Sequence, residues 1–144
     1  MSTRSPRAVP TPFRAICYLC AFFFLAMAVL LIGFPELATR AAGEQSPLVY
    51  GMLRGVGGSL LPYCLLYVLV AADPFSRRWG VVVIALANFA AITLDLLSVH
   101  LGEYRLAWAM FDLPVEIVSL AAMSWVLAAG RSSAFMTQDD SSAA

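Results

Sequence analysis

Four ionisable side chains stand inside long apolar runs: Arg54, Asp95, Asp112 and Glu116. At the centre of a lipid bilayer a charge costs about 2.5 kcal/mol or more, so such residues are placed where they are paired, wetted or used. Arginine keeps its proton in a protein, so a buried Arg54 calls for a carboxylate partner. One arginine cannot neutralise three acids. At least one of Asp95, Asp112 and Glu116 is then expected to hold a proton, or to await a proton or a cation.

Spacing lets these groups converge. Asp112 and Glu116 are i, i+4 and share one helix face, which Ser119 continues. Tyr50 stands one turn before Arg54 on the same side, and Asn88 aligns with Asp95 two turns on. The expected constellation is a ligand-binding or proton-relay pocket of Arg54, Asp95, Asp112, Glu116, Asn88 and Tyr50, with His100 at its rim. The competing reading is an Arg–Asp clasp that fixes helix packing while the other acids reach outward. His100, the single histidine, can relay protons beside Asp95 or simply sit at an interface, and by itself it excludes a bis-histidine haem within one chain. No cofactor and no metal are expected.

The elements that must position these residues are four apolar spans. The chain has 144 residues, 61% hydrophobic and 12% charged, against about 25% charged in a soluble domain. Lipid is the solvent that accepts such a surface. The spans are read at about 13–34, 47–72, 79–100 and 105–129, each long enough at about 1.5 Å per residue to cross a core roughly 30 Å thick. The fold class is an all-α membrane protein, a four-transmembrane-helix up-down bundle. Residues 1–12 and 131–144 are expected to be disordered tails, with Gly130 capping the fourth span. Glu36 to Ser46 reads as a polar loop, and Gly102-Glu103-Tyr104 as a turn. The first span is longer than a signal-peptide core and lacks a clean cleavage site, so it is expected to stay.

Orientation follows from the arginines, which supply all nine cations. Arg4, Arg7, Arg14, Arg77, Arg78 and Arg131 fall on one side, and only Arg40 and Arg105 on the other, so both termini are expected to be cytoplasmic. Trp79, Tyr104 and Trp108 sit at expected interfaces. In this topology the four intramembrane charges lie roughly 7–16 Å below the periplasmic interface. The net charge is zero and no basic run suggests nucleic acid.

Other patterns have plainer readings. Gly51, Gly55 and Ser59 repeat every four residues, with Gly57 and Gly58 nearby, a small-residue face that permits close helix approach within the bundle, between copies or with a membrane partner. Pro114 falls between the two acids of the fourth span and is expected to kink it near Met110. Cys17, Cys20 and Cys64 lie at similar depth; a metal or redox role is conceivable, but no histidine or acid accompanies them, and apolar filler is the favoured reading.

The stretch Asp73-Pro74-Phe75-Ser76-Arg77-Arg78, followed by Asp95, Gly102-Glu103-Tyr104 and an acid-bearing span, resembles the BphX-like group of small bacterial four-helix membrane proteins over the second half of the chain. The resemblance implies a fold and no particular activity. Leu113-Pro114-Val115-Glu116 is also similar to the Pro-x-Glu of membrane lycopene cyclases, but that family's other acidic motifs are not evident, so no catalytic residue is carried over. Three functions stay open: a binding or transport-accessory protein for a small amphipathic or cationic molecule or a proton; an intramembrane acid–base enzyme, isomerase- or cyclase-like, on a lipophilic substrate; and a structural subunit docking through Gly51, Gly55 and Ser59.

Overall fold

The computed structural model describes residues 9–40, 46–102 and 106–139, and these are helical apart from short connections. Six helices follow in order: α1 Thr11–Gly33, α2 Pro35–Arg40, α3 Pro47–Ala72, α4 Arg78–His100, α5 Leu106–Ala109 and α6 Leu113–Asp139. Three of them, α1, α3 and α4, are long and apolar enough to cross a membrane, and the apolar part of α6, Leu113–Ala129, is shorter. The four long helices form a ring in which α1 packs most extensively on α3 and α4 on α6, with lesser seams between α3 and α4 and between α1 and α6.

Each helix buries one stripe. On α1 it is Phe13, Cys17, Cys20, Ala21, Phe24, Ala28 and Leu31, at the three- and four-residue steps of a helical face. On α6 it includes Leu113, Glu116, Ser119, Ala122, Met123 and Val126. The outward faces are apolar as well: Leu19, Phe22 and Leu48 are about 70% exposed, at 68%, 71% and 73%. A helix apolar all round wants an apolar surrounding on both sides.

Two glycines set the seams. A Cβ on Gly57 would fall 2.9 Å from Ile32 Cγ1 and 3.1 Å from both the Ala28 carbonyl oxygen and Leu31 Cβ, so α1 and α3 meet where α3 has no side chain. A Cβ on Gly80 would lie 3.0 Å from Val70 Cγ2, at the α3–α4 seam. Gly51, Gly55 and Gly58 have nothing within 4 Å of a built Cβ. Within this bundle the Gly51, Gly55 and Ser59 face is not a packing surface; it points outward.

Four expectations about the connections are corrected. The segment 105–129 is not one helix: the chain leaves α5 at Ala109, turns through Met110–Asp112 and restarts at Leu113. Pro114 is the second residue of α6, in the first turn, where a missing N–H costs no intrahelical bond, so it starts a helix rather than kinking one. Part of the polar loop after the first span is helical, as α2, which opens on Pro35 and has Glu36 in its first turn and Arg40 in its last. And α6 runs through Gly130 to Asp139; a single glycine costs a helix interior only about 1 kcal/mol. Residues 1–8, 41–45, 103–105 and 140–144, which hold most of the N-terminal tail, Glu103 and Tyr104, lie outside the described residues.

The α3–α4 connection is tied by its own side chains. Asp73 Oδ1 accepts the Ser76 backbone N–H at 3.1 Å, and Arg77 Nη1 donates to the Leu69 carbonyl at 3.0 Å, satisfying an acceptor in the last turn of α3. Bonding from Ser76, first its side chain and then its backbone, holds the Asp73 carboxyl below the ordinary aspartate range.

Candidate functional site

The restart of the chain at Asp112 builds the site. The Asp112 carbonyl accepts the N–H groups of Val115 at 2.9 Å and Glu116 at 3.1 Å, which fixes the first turn of α6 directly after the Asp112 side chain. Asp112 and Glu116 therefore leave the same turn, at the positive end of the α6 dipole, where carboxylates are favoured. Asp95, in the last third of α4, meets them across the α4–α6 seam. One carboxylate oxygen from each of Asp95, Asp112 and Glu116 lies within 4.8 Å of the other two.

Burial differs within the group. Glu116 is only 6% exposed, whereas Asp95 and Asp112 are half-buried. Glu116 Oε2 and Asp112 Oδ1 are buried and accept no hydrogen bond among the described residues. At an effective dielectric of 20, two unit charges 4.8 Å apart repel by about 3.5 kcal/mol. Three full carboxylates at this spacing are unstable alone; shared protons or a cation must accompany them.

Arg54 does not supply that charge. It is exposed on α3, and its Nε donates at 3.3 Å to the carbonyl of Ile32, in the last turn of α1. The physical reason is local: the final carbonyls of α1 lack intrahelical donors and carry the negative end of its dipole, so a guanidinium on the adjoining helix is bound there. The expected clasp between Arg54 and the acids is therefore replaced by the Arg54–Ile32 contact. Tyr50 is half-buried near the start of α3, and His100 is exposed at the end of α4.

Asn88 belongs to a second, deeper constellation. It precedes Asp95 by two turns, about 10.5 Å along the axis, so it shares the face but not the depth. Asn88 is 1% exposed. Its Nδ2 lies 3.0 Å from the Tyr63 hydroxyl, 3.0 Å from the Tyr67 hydroxyl, 2.8 Å from the Ile84 carbonyl and 3.2 Å from Ser119 Oγ. Tyr67 and Ser119 share a short hydrogen bond, and Tyr63 donates to the Ile84 carbonyl at 3.3 Å. An amide has two hydrogens, so these four acceptors divide them. The network joins α3, α4 and α6, and the Cys20 thiol on α1 lies beside the Tyr67 and Ser119 hydroxyls. Glu116 is one turn from Ser119 on α6 and within electrostatic reach of Tyr63, so acids and amide network abut.

Phe24 walls this centre, with its ring 5.0 Å from that of Tyr63 and 5.6 Å from that of Tyr67. Cys17, Cys20 and Cys64 are free thiols buried in the same core. Tyr63 and Tyr67 were the residues that sequence reasoning passed over. Their signal was available: two phenols four residues apart, on one face of an apolar helix, whose hydroxyls need partners wherever they are buried. Comparison with family models, with curated proteins and with solved structures finds no match.

Proposed function

We propose that the chain is a small multi-pass protein of a bacterial inner membrane whose acidic intramembrane pocket binds, or helps to move, a small cationic or amphipathic molecule or a proton. What supports the membrane reading is the length and apolarity of α1, α3 and α4 together with their apolar outward faces. The fourth crossing combines α5, the Met110–Asp112 turn and the apolar part of α6. Alone, Leu113–Ala129 reaches about 25 Å, short of a hydrocarbon core of roughly 30 Å. The arginine distribution puts both termini in the cytoplasm and the acids toward the periplasm. The BphX-like resemblance fits the same four-crossing arrangement.

One observation carries the functional reading: Asp95, Asp112 and Glu116 converge within 4.8 Å, while Arg54 is bound elsewhere, at the Ile32 carbonyl. A purely structural ion pair would place Arg54 there. The test is native mass spectrometry of the purified full chain, wild type against Glu116→Gln and Asp112→Asn. Wild type is expected to retain a small-molecule adduct that both variants lose while accumulating normally in the membrane. A folded wild-type sample without adduct, under conditions that preserve bound lipid, counts against ligand binding.

A second reading is favoured by a separate observation. Gly51, Gly55 and Ser59 face outward with open space before the glycines. A copy of the chain or a membrane partner could approach that face closely, which would make the protein a subunit of a larger assembly.

A further inference from the structure

We propose that Asp95, Asp112 and Glu116 form a site for one divalent cation of the hard, oxygen-preferring class, Mg2+, Mn2+ or Ca2+. The inference rests on the acidic-pocket reading above and names its ligand. The three ligands come from α4, from the turn before α6 and from α6 itself, so their mutual distances are set by the fold.

The geometry suits the ion. Oxygen ligands at about 2.0–2.6 Å from a cation lie about 3–5 Å from one another, depending on whether they are adjacent or opposite. The three carboxylates each offer an oxygen inside a 4.8 Å circle. The donor set is oxygen only: His100 is outside the group, and the three cysteines are elsewhere in the core. All-oxygen donors suit hard cations, whereas zinc and copper sites are usually completed by nitrogen or sulfur.

Independent of the clustering, Glu116 is 94% removed from solvent and its Oε2 accepts no hydrogen bond among the described residues. A buried carboxylate oxygen normally has a donor, and leaving one without any is costly. A cation bonded to Oε2 and to Asp112 Oδ1 supplies what those oxygens lack. It also offsets the repulsion among three carboxylates by two charges. With three protein ligands, the remaining coordination positions fall to water or to a bound anionic group, and the half-buried Asp95 and Asp112 mark the open side.

The test uses the full chain in lipid nanodiscs, titrated with Mn2+ and followed by loss of the free-ion signal in electron paramagnetic resonance. Uptake of one Mn2+ per chain, weakened at least tenfold in Glu116→Gln and in Asp112→Asn with unchanged helical circular dichroism, supports the site. Competition by Mg2+ or Ca2+ supports the hard-cation class. No saturable uptake by wild type, or equal uptake by wild type and both variants, overturns it. Tetraphenylphosphonium binding, measured on the same samples, separates this failure from failure of the parent reading. If wild type binds the organic cation and Glu116→Gln does not, while Mn2+ is ignored, the metal site falls and the acidic pocket stands. If neither probe binds, both fall.

Discussion

Replacing Gly57 with alanine, and Gly55 with alanine beside it, isolates the seam on which the bundle depends. Both substitutions gain the same helix propensity, about 1 kcal/mol, so that contribution cancels between them. What remains is the fit of one methyl group. At Gly55 nothing lies within 4 Å of it. At Gly57 it meets Ile32 Cγ1 at 2.9 Å, which can rotate away because Ile32 is 38% exposed. The Ala28 carbonyl and Leu31 Cβ, both at 3.1 Å, belong to or are fixed by the backbone of α1 and cannot. The two helices must part by a few tenths of an ångström, along the largest seam in the molecule. Overpacking costs about 1–3 kcal/mol, and one methyl group against a partly yielding neighbour belongs in the lower part of that range. Gly57→Ala is thus expected to be less stable than Gly55→Ala by about 1–2 kcal/mol, a five- to thirty-fold shift in the folded ratio. Equilibrium unfolding in mixed maltoside–dodecyl sulfate micelles measures the difference. Equal stability of the two variants, or a more stable Gly57→Ala, would refute the α1–α3 packing described here.

Other outcomes follow from the polar core and the α3–α4 connection. A double-mutant cycle between Asn88→Ala and Tyr67→Phe should give a coupling of about 0.6 kcal/mol, the average for interhelical hydrogen bonds in membranes, and no more than about 1.7 kcal/mol. The cycle with Ser119→Ala should give less, since that contact is longer, 3.2 against 3.0 Å; strict additivity in both would remove Asn88 from the centre of the network. Asp73 gives a pH signature. Its carboxyl titrates below the usual range in the folded chain, so its stabilising contribution is complete above the unfolded value of about 3.9 and fades as pH falls through the lower folded value. The stability gap between wild type and Asp73→Ala should accordingly close below about pH 4; a gap that widens on acidification would contradict the Ser76 bonding.

Much of the helical architecture was legible without coordinates, because a run of apolar residues with few charges admits few structures. The long apolar helices declare themselves by composition and length. Asp112 and Glu116 announce a shared face by their i, i+4 spacing. Other features depended on competition that a linear reading cannot weigh. Pro114 reads as a kink until the turn at Met110–Asp112 shows it two residues into a helix. Arg54 reads as a counter-ion for carboxylates until α1 ends beside it and offers a carbonyl first.

The sequence alone determined that Asp95, Asp112 and Glu116 lie within apolar segments, since hydropathy is a property of the chain. It also determined that one arginine was too few for them, which is a matter of charge counting. Only the tertiary structure decided that the three acids meet and that Arg54 does not join them. It likewise decided that Asn88 serves the tyrosines and that Gly57 and Gly80, rather than Gly51 and Gly55, carry the packing. The reason is rotational: a helix's sequence fixes which residues share a face, but only packing against its neighbours fixes which way that face is turned.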